Sequence, residues 1–216
     1  METALSCLQI YKCRKEREGI KQIDFTNEQE LEKQRYGRNK NTIVNHPYIK
    51  SGEYRNKFNN ISNNQELNRT VYKIAKTMLN HRSGTLLEDM YWIDIDSGEI
   101  IASETNQKIE KQIKYSKATL KKIRKHKNIL VIHTHPNSMP PSIKDFNSAY
   151  KNGYQICLVC CHDGKVFLYN SETPIFEFFY KGTVAKYKNL GYDEYEAQLM
   201  ALSEYEAKEN ISFKEV

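Results

Sequence analysis

The chain has 216 residues, which suits one domain or one domain with an appendage and is too short for a TIM barrel of about 250 residues. Lysine and arginine number 33 against 27 acidic residues, so the net charge is +6, and 39% hydrophobic residues exclude a fully disordered chain. No apolar run approaches the roughly 20 residues of a membrane span, and the first residues do not form a signal peptide. We therefore expect a cytoplasmic protein in which the five cysteines stay reduced.

The first 64 residues differ from the rest of the chain. They are rich in charged residues and asparagine and poor in apolar anchors, with a basic run over residues 12–17. This composition predicts an N-terminal arm, over residues 1–64, that is helical or partly disordered. Within it, Ser51 is placed to cap a short helix that carries Tyr54 and Phe58 on one side.

A strong helical pattern begins at Gln65. Six apolar residues recur at helical spacing and predict an amphipathic helix that ends near Gly84, namely Leu67, Val71, Ile74, Ala75, Met78 and Leu79. Residues 90–95 and 99–103 predict two strands around a turn with the sequence Asp-Ser-Gly. The chain therefore enters a β-hairpin soon after its first long helix.

The second half of the chain alternates helices with strands. Ser116 is placed to cap a helix over 117–125, and the nearly all-apolar segment 128–133 predicts a strand that is buried on both faces. The elements predicted after it are a helix over 142–151, a hairpin formed by 154–161 and 166–169, and a helix over 192–208. This order predicts an α/β protein in which a mixed β-sheet is flanked by helices.

One segment combines metal-ligand chemistry with the end of a strand. His133 and His135 are two positions apart on the predicted strand, so both side chains point to one face and can reach the same ion. Pro136 stops the strand, and Asp145 falls in the first turn of the next helix, from which it can approach the histidines. Two histidines and a carboxylate with a fourth position left open are the arrangement of a catalytic zinc site.

Parts of this segment also have a purely structural explanation. Ser142-x-x-Asp145 has the form of a capping box, with aspartate in the place of glutamate, and a capping box needs no catalysis. A His-x-His pair alone is common in proteins without a metal. Two histidines that end a buried strand are harder to explain in this way, because unpaired polar rings are costly to bury.

The spacing of these residues resembles the JAMM motif of the MPN/JAB family of zinc metalloproteases. That motif consists of an upstream glutamate, then His-[Ser/Thr]-His-Pro, a short spacer and Ser-x-x-Asp. The matching residues here are His133, His135, Pro136, Ser142 and Asp145. His135 and Asp145 are ten positions apart, one fewer than in the eukaryotic deubiquitinating members.

The resemblance covers roughly residues 66–170 and implies a fold. We expect a JAMM/MPN-like domain over residues 65–185, built as a cytidine-deaminase-like sandwich of the MPN type. The helical N-terminal arm precedes it, and residues 186–216 are expected to form a C-terminal helix that packs on the domain.

The resemblance also implies roles for individual residues. Zn²⁺ is held by His133, His135 and Asp145, Glu88 serves as the general base and then as the general acid, and Ser142 donates a hydrogen bond to the developing oxyanion.

Other carboxylates remain open as the base. Asp89 is the nearest alternative to Glu88, because it follows it directly in the chain. Glu99 and Glu104 are further candidates, on the second strand of the predicted hairpin.

Two functions of different classes follow from this pattern. The first is a zinc-dependent hydrolase of peptide or isopeptide bonds, whose partner is a protein or peptide substrate such as a ubiquitin-like conjugate. The second is a non-catalytic MPN- or RadC-like module for assembly or nucleic-acid binding. The complete ligand set favours the enzyme, while the identity of the substrate and the oligomeric state stay open.

Two further clusters have structural explanations that we favour. The helix predicted after Ser116 and the residues that follow it carry six cations, Lys117, Lys121, Lys122, Arg124, Lys125 and Lys127. A solvated face is the first interpretation of these cations, and contact with phosphate or nucleic acid is the second. Cys157 and Cys160 face opposite sides of a predicted strand, so buried thiols are favoured over a second zinc site.

Overall fold

The computed structural model of the chain describes residues 42–110 and 112–216. The first 41 residues of the predicted arm, with their basic run, lie outside the described residues. Among the described helices, none has the length and apolar character that crossing a membrane would require.

The described residues form seven helices and six strands. The helices are α1 (His46–Ile49), α2 (Gly52–Asn56), α3 (Gln65–Arg82), α4 (Lys117–Ile123), α5 (Ile143–Asn152), α6 (Glu177–Asn189) and α7 (Glu194–Glu206). The strands are β1 (Met90–Asp94), β2 (Ile100–Glu104), β3 (Ile129–His135), β4 (Ile156–Cys161), β5 (Val166–Ser171) and β6 (Ile211–Glu215).

All six strands belong to one open, mixed sheet. Their order across the sheet is β2-β1-β3-β4-β5-β6. β3 and β4 are parallel and are connected through α5, whereas the other neighbouring strands are antiparallel. The prediction of an α/β protein with a mixed sheet flanked by helices is confirmed.

The central strand β3 separates two hydrophobic cores. All seven of its residues are buried, and their side chains alternate between the two faces of the sheet. Ile129 and Val131 belong to the core that α5, α6 and α7 cover, and Leu130 and Ile132 to the core that α1, α2 and α3 cover. The sheet is therefore covered by helices on both faces.

Side-chain caps define where several helices begin. The side chain of Asn64 accepts from the backbone at the start of α3, Ser116 caps α4, and Ser142 caps α5. The helix predicted after Ser51 is α2, in which the Ser51 hydroxyl accepts from the backbone N–H of Tyr54 at 3.1 Å. The caps predicted at the three serines are confirmed.

The described part of the predicted arm packs into the core that α1, α2 and α3 cover. Tyr54 and Phe58 are buried, with ring centroids 5.3 Å apart, and Phe58 lies 5.7 Å from the ring of Tyr72 on α3. Edge-to-face and tilted aromatic pairs of this kind stabilise a core beyond the area that they bury. The domain boundary at residue 64 stays a prediction.

Two elements differ from the sequence prediction. The sequence analysis does not predict α6, whose start has no side-chain cap and whose apolar residues lie both on the buried side, at Tyr180, and on the exposed side, at Phe178 and Phe179. β6 follows the predicted C-terminal helix, which is α7, and pairs antiparallel with β5. This pairing joins the end of the chain to the sheet, so residues 186–216 contain a strand as well as a helix.

Gly164, in the turn between β4 and β5, provides a first test of the packing. Its φ is +90°, and a Cβ atom added there would lie 2.4 Å from Cε1 of Tyr48 on α1. We expect Gly164→Ala to lower the free energy of unfolding by about 1–3 kcal/mol, because it adds both overpacking and backbone strain. Urea denaturation measures this change.

Gly98→Ala is the matched control for this substitution. Gly98 also has a positive φ, of +72°, but no atom lies within 4 Å of the position that an added methyl group would take. Its free energy of unfolding should fall only by the cost of the backbone strain. An equal fall in both variants would contradict a steric clash between the new methyl group and Tyr48.

His162 predicts how stability depends on pH. It is 1% exposed, and its Nδ1–H donates to the carbonyl oxygen of Thr42 at 2.7 Å. Burial lowers the pKa of His162 below its ordinary value of 6.5, so this ring binds fewer protons in the folded protein than in the unfolded chain. This contribution to stability is complete above about pH 6.5 and is lost as the pH falls, by at most about 1.4 kcal/mol per pH unit.

Urea denaturation at pH 7.5 and pH 5.5 measures this dependence. His162→Gln removes the titrating ring, so its stability should differ less between the two pH values than that of the wild-type chain. A difference as large as that of the wild type would show that other groups cause the pH dependence.

Candidate metal site

The carboxyl end of β3 positions the two histidines. His133 and His135 continue the face of the strand that carries Ile129 and Val131, and they pair in register with Val159 and with the last residue of β4. In open α/β sheets, ligands bind beyond the carboxyl ends of parallel strands. Both histidines therefore lie where this topology leaves room for a site.

Three candidate ligand residues converge at this end of the sheet. The Nε2 atoms of His133 and His135 lie 3.1 Å apart, and the two carboxylate oxygens of Asp145 lie 3.4 Å from them, one oxygen beside each ring. Ligands at zinc-like distances of about 2.0–2.1 Å from a tetrahedral ion are about 3.3–3.4 Å apart. The structure brings together the three predicted ligands at separations that suit one ion.

The capping box of α5 holds Asp145 in this position. Oδ2 of Asp145 accepts from both the backbone N–H and the hydroxyl of Ser142, each at 2.7 Å. The predicted capping box is confirmed. The structural and the metal-binding interpretations are therefore compatible, since the cap orients the same carboxylate that faces the histidines.

The charges of the site are coupled. Burial opposes a charge on His135, but the carboxylates of Asp145 and Glu88 outweigh it and raise the pKa of His135 to about 9. Burial would likewise raise the pKa of Asp145, and His133 and His135 together bring it well below its usual range. Asp145 is thus an anion at neutral pH, as a metal ligand has to be.

The two histidines differ in the hydrogen bonding of Nδ1, the ring nitrogen that points away from the other candidate ligands. Nδ1–H of His135 donates to the carbonyl oxygen of Met139 at 2.9 Å, which leaves its Nε2 as the atom that faces the other ligands. Such an outer hydrogen bond is typical of metal-binding histidines. Nδ1 of His133 is buried and has no hydrogen-bond partner among the described residues. A hydrogen bond to the loop after β3 therefore orients His135, whereas no such bond holds Nδ1 of His133, whose ring packs edge-on against Tyr169.

The ligands form part of the wall of a cavity of about 520 Å³. Besides the three candidate ligands, the cavity is lined by the polar residues Glu88, Ser142 and Lys144. Two tyrosines, Tyr115 and Tyr154, also line it. Tyr154 accepts a hydrogen bond from the ring N–H of Trp92 at 2.9 Å, so the hydroxyl on this wall is fixed. A cavity with a few convergent polar groups is the common form of a ligand site.

The structure separates the two neighbouring carboxylates that the sequence leaves open. Glu88 is 8% exposed and lines the cavity. Asp89, the residue directly before β1, is 1% exposed. Its carboxylate points away from the cavity and contacts Arg82 at 2.6 Å and His81 at 2.7 Å. Since successive residues of an extended chain face opposite sides, only one of the two reaches the ligands.

The other two candidate bases lie away from the cavity. Glu99 is exposed before β2. Glu104, at the end of β2, accepts from the backbone N–H of Ser116 at 2.7 Å and so supports the start of α4. Neither residue lines the cavity.

A buried ion pair supports the strand behind the site. The carboxylate of Asp89 bonds to Arg82 on α3, and its backbone N–H donates to the hydroxyl of Thr134, between the two histidines, at 3.1 Å. Sequence reasoning did not find Arg82, because a single arginine at the end of a helix has no signature of burial. Its link to Thr134 depends on the pairing of β1 with β3.

Among the described residues, the cysteines of β4 belong to no second group that could hold a metal ion. Cys157 and Cys160 are buried free thiols that belong to the cores on opposite faces of the sheet. Burial raises the pKa of Cys160 to about 12, so this thiol stays protonated at neutral pH. The preference for buried thiols is confirmed.

Comparisons with protein-family models, with curated proteins and with solved structures gave no match for this chain. The geometry and chemistry of the residues therefore carry the functional argument. What they define is an α/β protein with a buried His-His-Asp candidate metal site, consistent with a metal-dependent enzyme.

Replacing Asp145 tests the metal site directly. Asp145→Asn keeps an oxygen for the cap but removes the charge, so we expect the Kd for Zn²⁺ to rise more than about 100-fold. This estimate follows because losing even an outer partner of a metal ligand costs 10–100-fold. Competition with a chromophoric chelator measures the affinity.

A second capping box supplies the control. Glu196→Gln makes the same kind of change at the start of α7, where Glu196 accepts from the backbone of Asp193 at 3.3 Å. It should leave the zinc affinity unchanged. If Asp145→Asn binds zinc as tightly as the wild-type chain, Asp145 only caps α5 and is not a metal ligand.

Proposed function

We propose that this chain is a zinc-dependent hydrolase of peptide or isopeptide bonds, of the JAMM type. The observation that carries the proposal is the convergence of His133, His135 and Asp145 on the wall of a cavity that Glu88 also lines. Three ligands and a nearby carboxylate are the parts that metal-assisted hydrolysis needs.

The donor set narrows the choice of ion. Two imidazole nitrogens and one carboxylate suit zinc at a catalytic site, and the same donors also occur around non-haem Fe(II). The position of Glu88 favours zinc and hydrolysis, because a hydrolytic reaction needs a base beside the ion. Zinc bound there would lower the pKa of a coordinated water to about 7 and polarise a carbonyl group.

Glu88 would move the proton in this reaction. Its carboxylate accepts a proton from the attacking water and then returns it to the leaving amine, so that one residue serves as base and acid. The charge of Glu88 acts on His135, which supports its closeness to the ligands. A lysine side chain as the leaving amine makes the reaction an isopeptidase reaction, and a main-chain amine makes it a peptidase reaction.

Ser142 would have two tasks. Its hydroxyl proton is donated to Asp145 at 2.7 Å, so it first orients the ligand. Donation to a developing oxyanion, the role that the resemblance implies, requires the hydroxyl to turn toward the cavity that it lines. Ser142→Ala removes both tasks, whereas Ser142→Thr keeps a hydroxyl for each.

The first experiment combines metal content with turnover. Elemental analysis of the chain, purified without a chelator or a histidine tag, should give about one zinc per chain rather than iron. The zinc-loaded protein is then assayed on a mixture of unrelated peptides and on isopeptide-linked ubiquitin-like conjugates. Cleavage that chelation abolishes and zinc restores is the expected result.

Glu88→Gln tests the catalytic step in the same assay. This isosteric change should keep the zinc and lower kcat by at least about 100-fold, the usual contribution of general acid–base catalysis. Glu99→Gln, an exposed carboxylate near the same hairpin, should keep full activity. Normal turnover of Glu88→Gln would overturn its role, and absence of bound metal would overturn the hydrolase.

A further inference from the structure

The positive charge of this chain is concentrated in one short segment. Residues 114–127, which we call the basic segment, contain seven lysines and arginines and no acidic residue. Because the whole chain carries +6, all residues outside the basic segment together sum to −1. A strong local asymmetry of this kind points to an anionic partner rather than to general solubility.

The structure exposes every one of these cations. α4 and the turn after it bury Thr119 and Ile123, which anchor the segment against the domain. The cations all face solvent, and they are Lys114, Lys117, Lys121, Lys122, Arg124, Lys125 and Lys127. The sheet thus supports a strongly positive surface.

Ion pairs distinguish the basic segment from seven other cations of the described residues. Seven other lysines and arginines form ion pairs within the described residues, namely Arg69, Arg82, Lys165, Lys181, Lys186, Lys188 and Lys208. No ion pair between described residues involves a lysine or arginine of the basic segment. Its charges are therefore not neutralised by described carboxylates.

Three carboxylates beside the basic segment accept hydrogen bonds from groups other than its lysines and arginines. Asp94 accepts from Nδ1 of His126 at 2.6 Å, and Asp96 accepts from the side-chain amide of Asn128 at 2.8 Å. Glu104 accepts from the backbone of Ser116. These contacts fix the acids at the border of the basic segment and keep its cations available to a partner.

We propose that the basic segment binds the phosphate backbone of nucleic acid, without preference for sequence. Lysines supply six of its seven charges, and a lysine binds phosphate as a point charge that needs no fixed orientation. The dense, regular charge of a duplex, about one per 1.7 Å of its axis, matches so many cations better than the scattered carboxylates of a protein surface do.

The surroundings of the segment fit backbone contact rather than base stacking. Tyr115 is the one Phe, Tyr or Trp residue of the segment, and it packs edge-on against Trp92 with ring centroids 5.0 Å apart, while its hydroxyl contacts Ser148 at 3.1 Å. Tyr115 is only partly exposed and lines the cavity, so it does not stand on the exposed surface among the cations as the stacking residues of single-strand binders do. The ring of His126 is held by Asp94 at 2.6 Å. The segment also lacks an exposed aromatic or large apolar residue that would enter a lipid surface.

Fluorescence anisotropy with a labelled 30-base-pair duplex of arbitrary sequence tests the proposal on the full chain. We expect binding at 50 mM salt. The logarithm of the association constant should fall linearly with the logarithm of salt concentration, with a slope of about −4.5 to −6.3 for five to seven phosphate contacts. A second duplex of different sequence should bind equally. Chelator-treated protein should also bind equally, which separates this proposal from the proposed hydrolase.

A charge-matched pair of variants identifies the surface. Replacing Lys117, Lys121, Lys122 and Lys125 by glutamine should reduce the magnitude of the salt slope by about 3–4, because each lost phosphate contact removes about one unit. The control replaces the paired lysines Lys181, Lys186, Lys188 and Lys208 by glutamine and changes the net charge equally. The control should keep nearly all of the binding, and circular dichroism checks that both variants are folded.

Three results would overturn the proposal. They are no binding of duplex at 50 mM salt, an equal loss of binding in both variants, and displacement of the duplex by polyglutamate at equal charge concentration. The last would assign the surface to an acidic polypeptide. Binding to vesicles with 30% anionic lipid but not to duplex would assign it to a membrane surface and overturn the proposal as well.

Discussion

The parallel pairing of β3 with β4 is the constraint on which the rest of the site depends. A parallel pair requires a crossover, and here the crossover contains the loop after His135 and the helix α5. Because the crossover begins where β3 ends, the first turn of α5 returns to the same edge of the sheet as the two histidines. Asp145 therefore meets both rings without any strained backbone of its own.

Burial on both faces makes this edge rigid. One face of β3 ends in His133 and His135, and the other carries Thr134, which is tied to Asp89 and through it to Arg82. Breaking a buried ion pair leaves an uncompensated charge and is costly, so this network holds the start of β1 against β3. Glu88 lies two residues before β1, and its position in the cavity follows from the same pairing of β1 with β3.

The two proposals use different parts of the fold and different physical chemistry. The candidate metal site is buried and depends on close, directional contacts between a few atoms. The basic segment is exposed, and it acts through summed charge that salt screens. Their proximity is a fact of the fold, since Gln112, Ile113 and Tyr115 line the cavity and the cations begin among them. A partner held on the basic segment would therefore lie beside the mouth of the cavity.

The sequence by itself determined the features that depend on local chemistry. Period-2 spacing put His133 and His135 on one face, Ser142 and Asp145 indicated a capped helix, and Ser51 and Ser116 marked helix starts that the structure has. Only the tertiary structure decided which carboxylate faces the ligands, because both faces of the sheet are buried and alternation alone cannot say which face Glu88 shares. It also decided the places of α6, whose large apolar residues Phe178 and Phe179 are exposed, and of β6, whose pairing with β5 joins residues far apart in the chain. Contacts between distant residues set these features, and no local pattern in the sequence records them.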